Sequence, residues 1–529
     1  MKYRFTRLLP SFMRIPLPPL YIPVLKRMRR WIYESLYESQ DEALVAMKSH
    51  AFLFFPRNYG HAKGIFLKLV EMGALKRAKG QLKKIEKNFK GLLGEVELAY
   101  LYEHLSVHYR GVRSLCAIED LYRDRLKREP ECMWARRELA GVHFRLGDVP
   151  GAIAVVTEQR LLRDHLAGRL GYDTERTRYF GSFYTLAIGH IALLGFYAQQ
   201  QELQGPEGRR NRLAIDPKRV ANACLLSYVE PFFDLVTEEE TELQEVIAAL
   251  EDPHLLLHGG GNRWDFFYDG LPQIGREWER RGNGPFLTLR EEHTKDGEKR
   301  LREMGLPEGA WFVVLHVRET RLGEVRNAKV ADYLPAIREI TRRGGWVIRM
   351  GDRTMTPLPP MEQVLDYAHD TRKSDSLDIF LLGACRFFLG TNSGPSIAAK
   401  LFGKRIVFTN FAPLFCNAFG TPDTWIPILF RDTKDQRLLT LREMAHSPLV
   451  YAEYPAAIPG YSVEVVPNTP EEIFDAVVEM FGVLESEQET FSVGLSERIR
   501  FDALCRELGI NLHAPPSSRF LARHAKWLD

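Results

Sequence analysis

The sequence of 529 residues predicts an α/β fold in which two lobes, each built on a parallel sheet, follow an N-terminal helical region. Three observations predict this architecture. Between positions 311 and 402, three apolar strands each end in a polar or glycine-containing loop, as successive crossovers of a parallel sheet do. A shorter strand–turn–helix series occupies positions 176–290. Good helix formers, with apolar residues every three or four positions, fill positions 33–168.

The composition is typical of a soluble globular protein and argues against several functional classes. Apolar residues make up 45% and charged residues 27% of the chain, and no apolar run is long enough to span a bilayer. The net charge of +3 is small for this length and gives no indication of nucleic-acid binding. Six scattered cysteines without a CxxC pair argue against a disulfide framework and a zinc site. With no signal peptide in view, we expect a cytoplasmic protein.

Changes in sequence character predict five segments. They are a basic N-terminal arm (1–32), a helical region (33–175), a first α/β lobe (176–292), a second α/β lobe (293–484) and a helical tail (485–529). The arm carries eight Lys and Arg residues before Glu34, the first acidic residue, and aromatic residues lie between them. This composition leaves two interpretations open: peripheral contact with an anionic membrane, or a solvated arm that packs on the next domain. Five prolines in the arm argue against one continuous amphipathic helix.

One part of the helical region has the spacing of a tetratricopeptide repeat. Positions 133–153 combine Trp134 with the small residues Ala140 and Ala152 where two helices of a repeat would touch, and Gly147 in the turn between them. The flanking segments match poorly, so we expect a short, degenerate repeat array. Such arrays bind proteins, and a helical scaffold packed on the rest of the chain is the alternative.

The first lobe begins with a strand predicted at positions 179–184. Ile188, Gly189 and His190 then form a turn that leads directly into an amphipathic helix. A short strand at positions 212–215 and a helix at positions 223–235 follow. A further strand at positions 254–258 precedes three consecutive glycines, which permit left-handed backbone or the close approach of a ligand.

The second lobe contains the three strand exits that carry the polar residues. The predicted elements are a helix ending at Gly305, a strand at 311–317 ending in His316 and Arg318, a strand with a Gly351–Asp352 exit, a strand that empties into Gly390–Ser396, a strand at 406–410, and a helix at 469–484. Doubly wound sheets bind ligands where strands end. We therefore expect the functional site at these three exits.

The third exit has the features of a phosphate-binding turn. Small or polar residues, among them Thr391, Asn392, Ser393 and Ser396, follow a buried strand and open a helix. A helix N-terminus presents unpaired amides and a partial positive charge, and Gly394 allows a phosphate to approach. A simple helix cap would explain Ser393 alone. It would not explain the other small residues of the turn, so phosphate binding is favoured.

The first exit supplies positive charge. His316 and Arg318 alternate with Val317, so both side chains leave the strand on the same side. The guanidinium of Arg318 is a planar, permanently charged donor suited to a diphosphate, although an arginine at a strand end is often a structural ion-pair partner. Cationic donors and a helix N-terminus neutralise a departing diphosphate without a metal ion. No DxD motif indicates a required cation, and Asp378 stands in a loop-to-helix context instead.

The segments HVRE, YLPAIREITRRGGWVIRMGD and SLDIFLLGACRFFLGTNSGPSIAAKLFG resemble the donor-binding lobe of fucosyltransferase-like glycosyltransferases with the GT-B fold. The resemblance covers roughly positions 176–484. Closer still is the similarity to an uncharacterised bacterial glycosyltransferase family that shares the Ile-Gly-His turn. The resemblance implies a GT-B-like pair of lobes that uses a nucleotide-sugar co-substrate and no other cofactor. It also implies a glycan or protein acceptor.

The same resemblance implies roles for individual residues. Arg318 would contact the β-phosphate beside His316, and the third exit would hold the pyrophosphate. Gly189 and His190 would face the donor or acceptor from the first lobe. The residues implied to bind the donor are Gly189, Gly351, Asp352, Asp378, Thr391, Asn392, Ser393, Gly394 and Ser396. Where many fucosyltransferases carry a second basic residue after the HxR motif, this chain has Glu319, so GDP-fucose is only one candidate donor.

The expected reaction is inverting, metal-independent transfer of a sugar to an acceptor hydroxyl, in bacterial surface-glycan synthesis or protein glycosylation. Glu319, Glu324 and His190 are the candidate general bases, and the sequence does not choose among them. Two other interpretations compete. A nucleotide-sugar epimerase would need a carboxylate-rich cleft, which the sequence lacks. A non-catalytic repeat scaffold with a degenerate α/β part would not need the HxR motif or the phosphate-type turn.

Overall fold

The computed structural model of the protein describes residues 59–72, 74–89, 101–102, 112–145, 148–205, 209–237, 246–247, 249–250, 255–257, 264–319, 325–412, 414, 423–447, 449, 461–485, 494–508 and 515–529. The chain forms two compact units, Met1–Tyr109 and Arg110–Asp529. The predicted basic arm lies outside the described residues, and its membrane contact stays a prediction. Within the part of the chain that is described, no helix is long and apolar enough to cross a membrane.

The helices and strands are numbered in chain order. The helices are α1 (Tyr59–Glu71), α2 (Leu75–Phe89), α3 (Val112–Arg128), α4 (Met133–Arg145), α5 (Val149–Leu170), α6 (Ile188–Gln204), α7 (Ala223–Val229), α8 (Phe267–Arg280), α9 (Glu291–Glu303), α10 (Leu334–Arg342), α11 (Asp375–Ala384), α12 (Gly394–Leu401), α13 (Leu441–Ala445), α14 (Pro470–Glu485), α15 (Leu495–Leu508) and α16 (Ser518–Arg523). The strands are β1 (Thr177–Phe180), β2 (Arg210–Ala214), β3 (Asp234–Val236), β4 (Leu255–Leu257), β5 (Trp264–Phe266), β6 (Phe312–His316), β7 (Trp346–Met350), β8 (Val364–Leu365), β9 (Phe388–Thr391), β10 (Ile406–Phe411), β11 (Thr424–Pro427), β12 (Leu429–Asp432) and β13 (Val463–Val466).

Helices α4 and α5 form the helix–turn–helix predicted from the repeat-like spacing. Ala140 and Ala152 are buried, as expected for small residues at the contact of two helices. The Asp148 carboxylate accepts a hydrogen bond from the Gly151 amide at 3.0 Å and so caps the start of α5. Gly147 lies outside the described residues. The tetratricopeptide character of this region, and a protein partner bound through it, stay predictions.

The first lobe is built on a parallel sheet with the strand order β1–β2–β3. Helix α6 connects β1 to β2, and α7 precedes β3. Two predicted bounds were wrong here. The first strand ends at Phe180, and a 3-10 helix, Ser182–Thr185, follows it. The predicted helix at 223–235 ends at Val229, a 3-10 helix, Glu230–Phe232, follows it, and β3 begins at Asp234.

The second lobe is built on a six-stranded parallel sheet with the order β11–β10–β9–β6–β7–β8. The chain runs outward from β6 to β7 and β8, then returns to place β9 on the other side of β6. The order in which strands are added therefore reverses between β6 and β9. Doubly wound sheets bind ligands at such a point. All residues of β6, β9 and β10 are buried, which explains their continuous apolar character.

One apolar core extends through both lobes. It includes Phe180 of β1, Ile191 of α6 and Val314 of β6. Short antiparallel pairs, β4–β5 and β12–β13, accompany the two parallel sheets. The predicted α/β fold class, with two lobes each built on a parallel sheet, is confirmed.

Candidate active site

The predicted site lies where β6 and β9 end side by side. His316 at the end of β6 is paired in register with Gly390 of β9. Gly390 has φ = +157°, and a Cβ atom there would lie 2.0 Å from the carbonyl oxygen of His316. Only glycine therefore allows β9 to approach β6 this closely. The close approach brings the loop after β9 beside the residues that follow β6.

His316 is buried and neutral. Burial, followed by the positive charges of Arg318 and Arg349, lowers the pKa of His316 to about 4. Its Nδ1 atom lies 3.1 Å from the hydroxyl oxygen of Ser393, the residue that precedes α12. A neutral imidazole and a hydroxyl carry one polar hydrogen each. One of the two hydrogens forms the bond between the groups, and the other is available to a ligand. The pair can therefore donate a hydrogen bond to an anion without a titrating positive charge of its own.

Two of the predicted donor-binding residues hold the turn in shape. The buried Thr391 accepts a hydrogen bond on its Oγ1 from the backbone amide of Arg318 at 3.2 Å. The hydroxyl of Ser396, also buried, donates to the carbonyl oxygen of Ser393 at 2.7 Å and accepts from its amide at 3.3 Å. These contacts join the ends of β6 and β9 and close the first turn of α12.

The two lobes meet at a pair of glycines. A Cβ atom on Gly189 would lie 2.7 Å from the Cα of Gly394, and one on Gly394 would lie 2.5 Å from the amide nitrogen of Gly189. Further along the same helices, Gly195 of α6 packs closely on Leu401 of α12. A Cβ atom on Gly195 would lie 2.4 Å from Leu401 Cδ1. Helices α6 and α12 therefore run side by side in the same direction, with their N-termini together. The positive ends of two helix dipoles coincide at one point.

His190 follows Gly189 at this junction. Its Nδ1 atom lies 3.2 Å from the carbonyl oxygen of Phe183, and its ring lies against the Phe183 ring at a centroid distance of 4.4 Å. A carbonyl only accepts, so Nδ1 carries the hydrogen and the lone pair is on Nε2. Burial lowers the pKa of His190, which favours this neutral form. The imidazole is held in the tautomer that a general base requires.

Asn392 lies on the opposite side of the same turn. Its side-chain amide donates to the carbonyl oxygen of Ala412 at 2.7 Å, and its Oδ1 atom has no hydrogen-bond partner among the described residues. The guanidinium of Arg326 reaches the backbone carbonyl of Asn392 at 3.5 Å. Sequence reasoning missed Arg326, since nothing in the loop after β6 marks it. The half-buried Arg318 and Arg326 thus lie on the loop that faces the turn.

The exit of β7 contributes Gly351 and Asp352. Gly351 has φ = +152°, and its carbonyl oxygen accepts a hydrogen bond from the Lys373 ammonium group. The Asp352 carboxylate accepts from the Thr354 amide at 2.7 Å. Burial acts to raise the pKa of Asp352, but the Thr354 hydrogen bonds and the Lys373 charge outweigh it, so that pKa is lowered. An ionised carboxylate and an ammonium group therefore stand at this exit.

Asp378 and Asp375 lie at the start of α11. Burial raises the pKa of Asp378, which interacts with Tyr367 and lies below the surface of the exit. The carboxylate of Asp375 accepts a hydrogen bond from the Ala223 amide at 2.8 Å and thereby caps α7 of the first lobe. Asp375 therefore joins the two lobes. Asp378 lies beside Tyr367, and its contact with a nucleotide stays a prediction.

Glu319, a candidate base in the sequence, is held by other groups. Its carboxylate accepts from the Thr356 amide at 2.7 Å and lies 3.9 Å from the guanidinium of Arg349. Arg349 is completely buried in β7 and donates to Asp366 at 3.2 Å. An arginine inside the apolar strand WVIRM was the signal that sequence reasoning did not use. Buried charges are stable only when paired, and Asp366 and Glu319 supply the negative charge beside Arg349. Glu324, the third candidate base, lies outside the described residues.

The comparisons with known proteins give a limited set of similarities. No family model and no curated protein matches the chain. Among solved structures, the chain is similar to the glycosyl transferase family 9 protein from Veillonella parvula DSM 2008. The sequence identity is 10% and the TM-score 0.31, over 45% of this chain and 84% of that chain.

The chain is also similar to the iron-containing dodecameric glycosyltransferase TibC from enterotoxigenic E. coli H10407. The sequence identity is 13% and the TM-score 0.27, over 44% of this chain and 58% of that chain. Both solved proteins are named as glycosyltransferases. Neither name mentions a fucosyltransferase, and the fucosyltransferase-like resemblance stays a prediction.

Proposed function

We propose that the protein is a glycosyltransferase that uses a nucleotide-diphosphate sugar and binds its pyrophosphate between β6 and β9. The observation that carries the proposal is the contact of Gly189 with Gly394, which brings two helix N-termini together beside Arg318 and His316. Helix N-termini bind phosphate through unpaired amides and a partial positive charge. A site with two of them suits a ligand with two linked phosphates.

The diphosphate is the leaving group of the proposed reaction. As the bond from the anomeric carbon to the phosphate oxygen breaks, the oxygen keeps the electron pair and its negative charge grows. Arg318 supplies a permanent positive charge for this oxygen, and the His316–Ser393 pair supplies a neutral hydrogen-bond donor. Asn392 has an amide oxygen without a partner, which can accept a hydrogen bond from a hydroxyl group of the donor.

His190 is the general base of this proposal. The acceptor hydroxyl attacks the anomeric carbon, a new carbon–oxygen bond forms, and the hydroxyl proton passes to Nε2 of His190. Three features support His190 over Glu319: its neutral form, its tautomer, and its position next to Gly189. One carboxylate oxygen of Glu319 accepts from the Thr356 amide, and the other lies 3.9 Å from the guanidinium of Arg349. A single displacement of this kind inverts the anomeric configuration.

The finer parts of the proposal concern the donor, the metal and the acceptor. The cationic and dipolar groups of the site can balance the diphosphate charge by themselves, which supports metal-independent transfer. GDP-fucose is one candidate donor because of the HVRE and TNSGPS segments. A glycan or protein hydroxyl is the acceptor, in bacterial surface-glycan synthesis or protein glycosylation.

The first experiment measures the melting temperature with GDP, UDP, CMP and dTDP, without any sugar. A ligand at a concentration one hundred times its Kd stabilises the folded state by about 2.7 kcal/mol, so at least one nucleoside diphosphate should raise the melting temperature by several degrees. Hydrolysis of the matching nucleotide sugars then identifies the donor. If all four nucleotides leave the melting curve unchanged, the proposal is wrong.

Arg318→Ala is the variant that tests the site itself. We expect it to lose nearly all transfer and to weaken nucleoside-diphosphate binding at least tenfold, while the circular dichroism spectrum stays that of the wild type. Arg302→Ala, at an exposed position near the end of α9, removes the same charge outside the loop that follows β6 and serves as the matched control. Full activity in Arg318→Ala would remove Arg318 from the proposed mechanism.

A further inference from the structure

A cavity of about 230 Å³ lies at the C-terminal end of α12, away from the proposed pyrophosphate site at its N-terminus. Its walls come from the middle of α6, the C-terminal end of α12, helix α8 and the loop that follows α8. Helix α12 has eight residues, so its two ends are separated by about 12 Å. A ligand in this cavity would therefore not overlap a nucleotide diphosphate at the N-termini of α6 and α12.

One buried amide in the cavity wall has an unused acceptor. The side chain of Gln199 is only 4% exposed, and its Oε1 atom has no hydrogen-bond partner among the described residues. A buried acceptor without a partner is costly, so a turn of the Gln199 side chain that lets a ligand in the cavity donate to Oε1 gains the free energy of an otherwise missing bond. The carboxylate of Glu279 at the rim of the cavity is a second acceptor.

Two donors of the cavity wall, on Trp278 and Lys400, are already in use. The indole Nε1 of Trp278 donates to the carbonyl oxygen of Gly284 at 2.8 Å. The ammonium group of Lys400 is bound by the carboxylate of Asp423 at 2.7 Å. The acceptor of Gln199 and the carboxylate of Glu279 therefore favour a ligand rich in donors, such as hydroxyl groups, over an anion.

The remaining walls are aromatic and apolar. Trp278 and Phe286 meet edge to face at a centroid distance of 5.3 Å, and Phe196 and Leu401 complete the apolar surface. The cavity opens toward the exposed residues Asn283 and Gly284. A flat molecule with one apolar face would cover the rings while its polar edge reached Gln199.

We propose that this cavity binds a single pyranose ring, separately from the nucleotide-sugar donor. A pyranose has hydroxyl donors for Gln199 and Glu279 and a face of C–H groups for Trp278 and Phe286. The volume accommodates one ring and no nucleotide. The inference does not depend on the proposed transfer reaction, because the cavity residues contribute nothing to the site around Arg318.

The test is saturation-transfer NMR on the full chain with a panel of methyl pyranosides, in the absence of any nucleotide. A ligand with so few atoms is expected to bind with a dissociation constant in the millimolar range. Gln199→Met keeps the side-chain length and removes the acceptor, so we expect at least a tenfold loss of affinity for the glycoside that binds the wild type.

Gly275→Leu tests the cavity without disturbing the fold. Gly275 lines the cavity on α8, and no heavy atom lies within 4 Å of the position of an added Cβ. Leucine there also favours the helix, so binding should vanish while the melting temperature does not fall. Gly168→Leu, on α5, has equally open surroundings and should bind like the wild type.

Two results would overturn the inference. One is the absence of a saturation-transfer signal from every methyl pyranoside with the wild-type protein. The other is a signal that persists unchanged in both Gln199→Met and Gly275→Leu, since the sugar would then bind elsewhere. Because no nucleotide is present, either result leaves the proposed transfer reaction open to its own test with GDP and UDP.

Discussion

Replacing Gly189 by alanine should separate the two helix N-termini at the centre of the candidate site. The added Cβ would lie 2.7 Å from the Cα of Gly394, whereas carbon atoms in contact are about 3.5–4.0 Å apart. The helix ends must therefore move apart by about 0.8–1.3 Å. The obstacle is backbone, which cannot rotate away as a side chain can.

The expected cost of Gly189→Ala is about 1–3 kcal/mol of stability, the usual range for overpacking a well-packed contact. Catalysis should suffer more, because a displacement of about 1 Å in a reacting site lowers the rate on the order of 100-fold. The assay compares the rate of sugar transfer and the melting temperature of the variant with those of the wild type, using the nucleotide sugar identified in the hydrolysis panel.

Gly168→Ala is the matched control for this prediction. It is the same substitution in a helix, α5, with no heavy atom within 4 Å of the new Cβ. The control should stabilise its helix by up to about 1 kcal/mol and leave transfer unchanged. If Gly189→Ala also kept the wild-type rate and melting temperature, the two helix ends would not form the pyrophosphate site, and the reasoning from their contact would be refuted.

Three further predictions follow from the titrating groups and from the charge balance of the site. First, His190→Gln should lower the rate constant for transfer by about 10²–10⁴-fold. Since burial lowers the pKa of His190, the acidic limb of the wild-type pH–rate profile should lie below about pH 6.5. An unchanged limb in the variant would contradict the assignment. Second, the pKa of His316 is lower in the folded state than its unfolded value of 6.5. The unfolded state therefore takes up the proton first, and the free energy of unfolding, which is at its full value above about pH 6.5, decreases as the pH falls toward 4. A shift from 6.5 to about 4 corresponds to about 3 kcal/mol. Denaturant titrations should therefore show that His316→Gln loses less stability than the wild type between pH 7 and pH 4, by roughly that amount; an equal loss would show that His316 is not buried as a neutral group. Third, transfer should proceed at the same rate with excess EDTA, and inhibition that added Mg²⁺ reverses would contradict metal-independent transfer.

Much of the second lobe was predictable because its signals are local. Continuous apolar strands, the Gly351 exit and the small residues after Gly390 are determined by steric rules that act over a few residues. The strands predicted at 311–317 and 406–410 are observed as β6 and β10, with bounds within one residue of the predicted ones. By contrast, the end of α7 at Val229 was missed, because the pairing of β3 with β2 competes with local helix propensity.

The roles of the carboxylates and histidines were not predictable from their positions in the chain. Glu319 was a candidate base in the sequence, yet its carboxylate accepts from the Thr356 amide and lies 3.9 Å from the guanidinium of Arg349. His190 was an equal candidate, and the carbonyl of Phe183 and burial give it the neutral form a base needs. Protonation and tautomer depend on neighbours that only the folded chain supplies.

The sequence by itself determined that this protein has parallel α/β lobes and that polar residues follow their strands, since periodicity and turn chemistry are encoded residue by residue. Only the tertiary structure decided that β9 lies beside β6, and that Gly189 from one lobe touches Gly394 from the other. Strand order and the contact of two lobes arise from packing between residues far apart in the chain. No local pattern specifies them, and together they turn three separate strand exits into one candidate site.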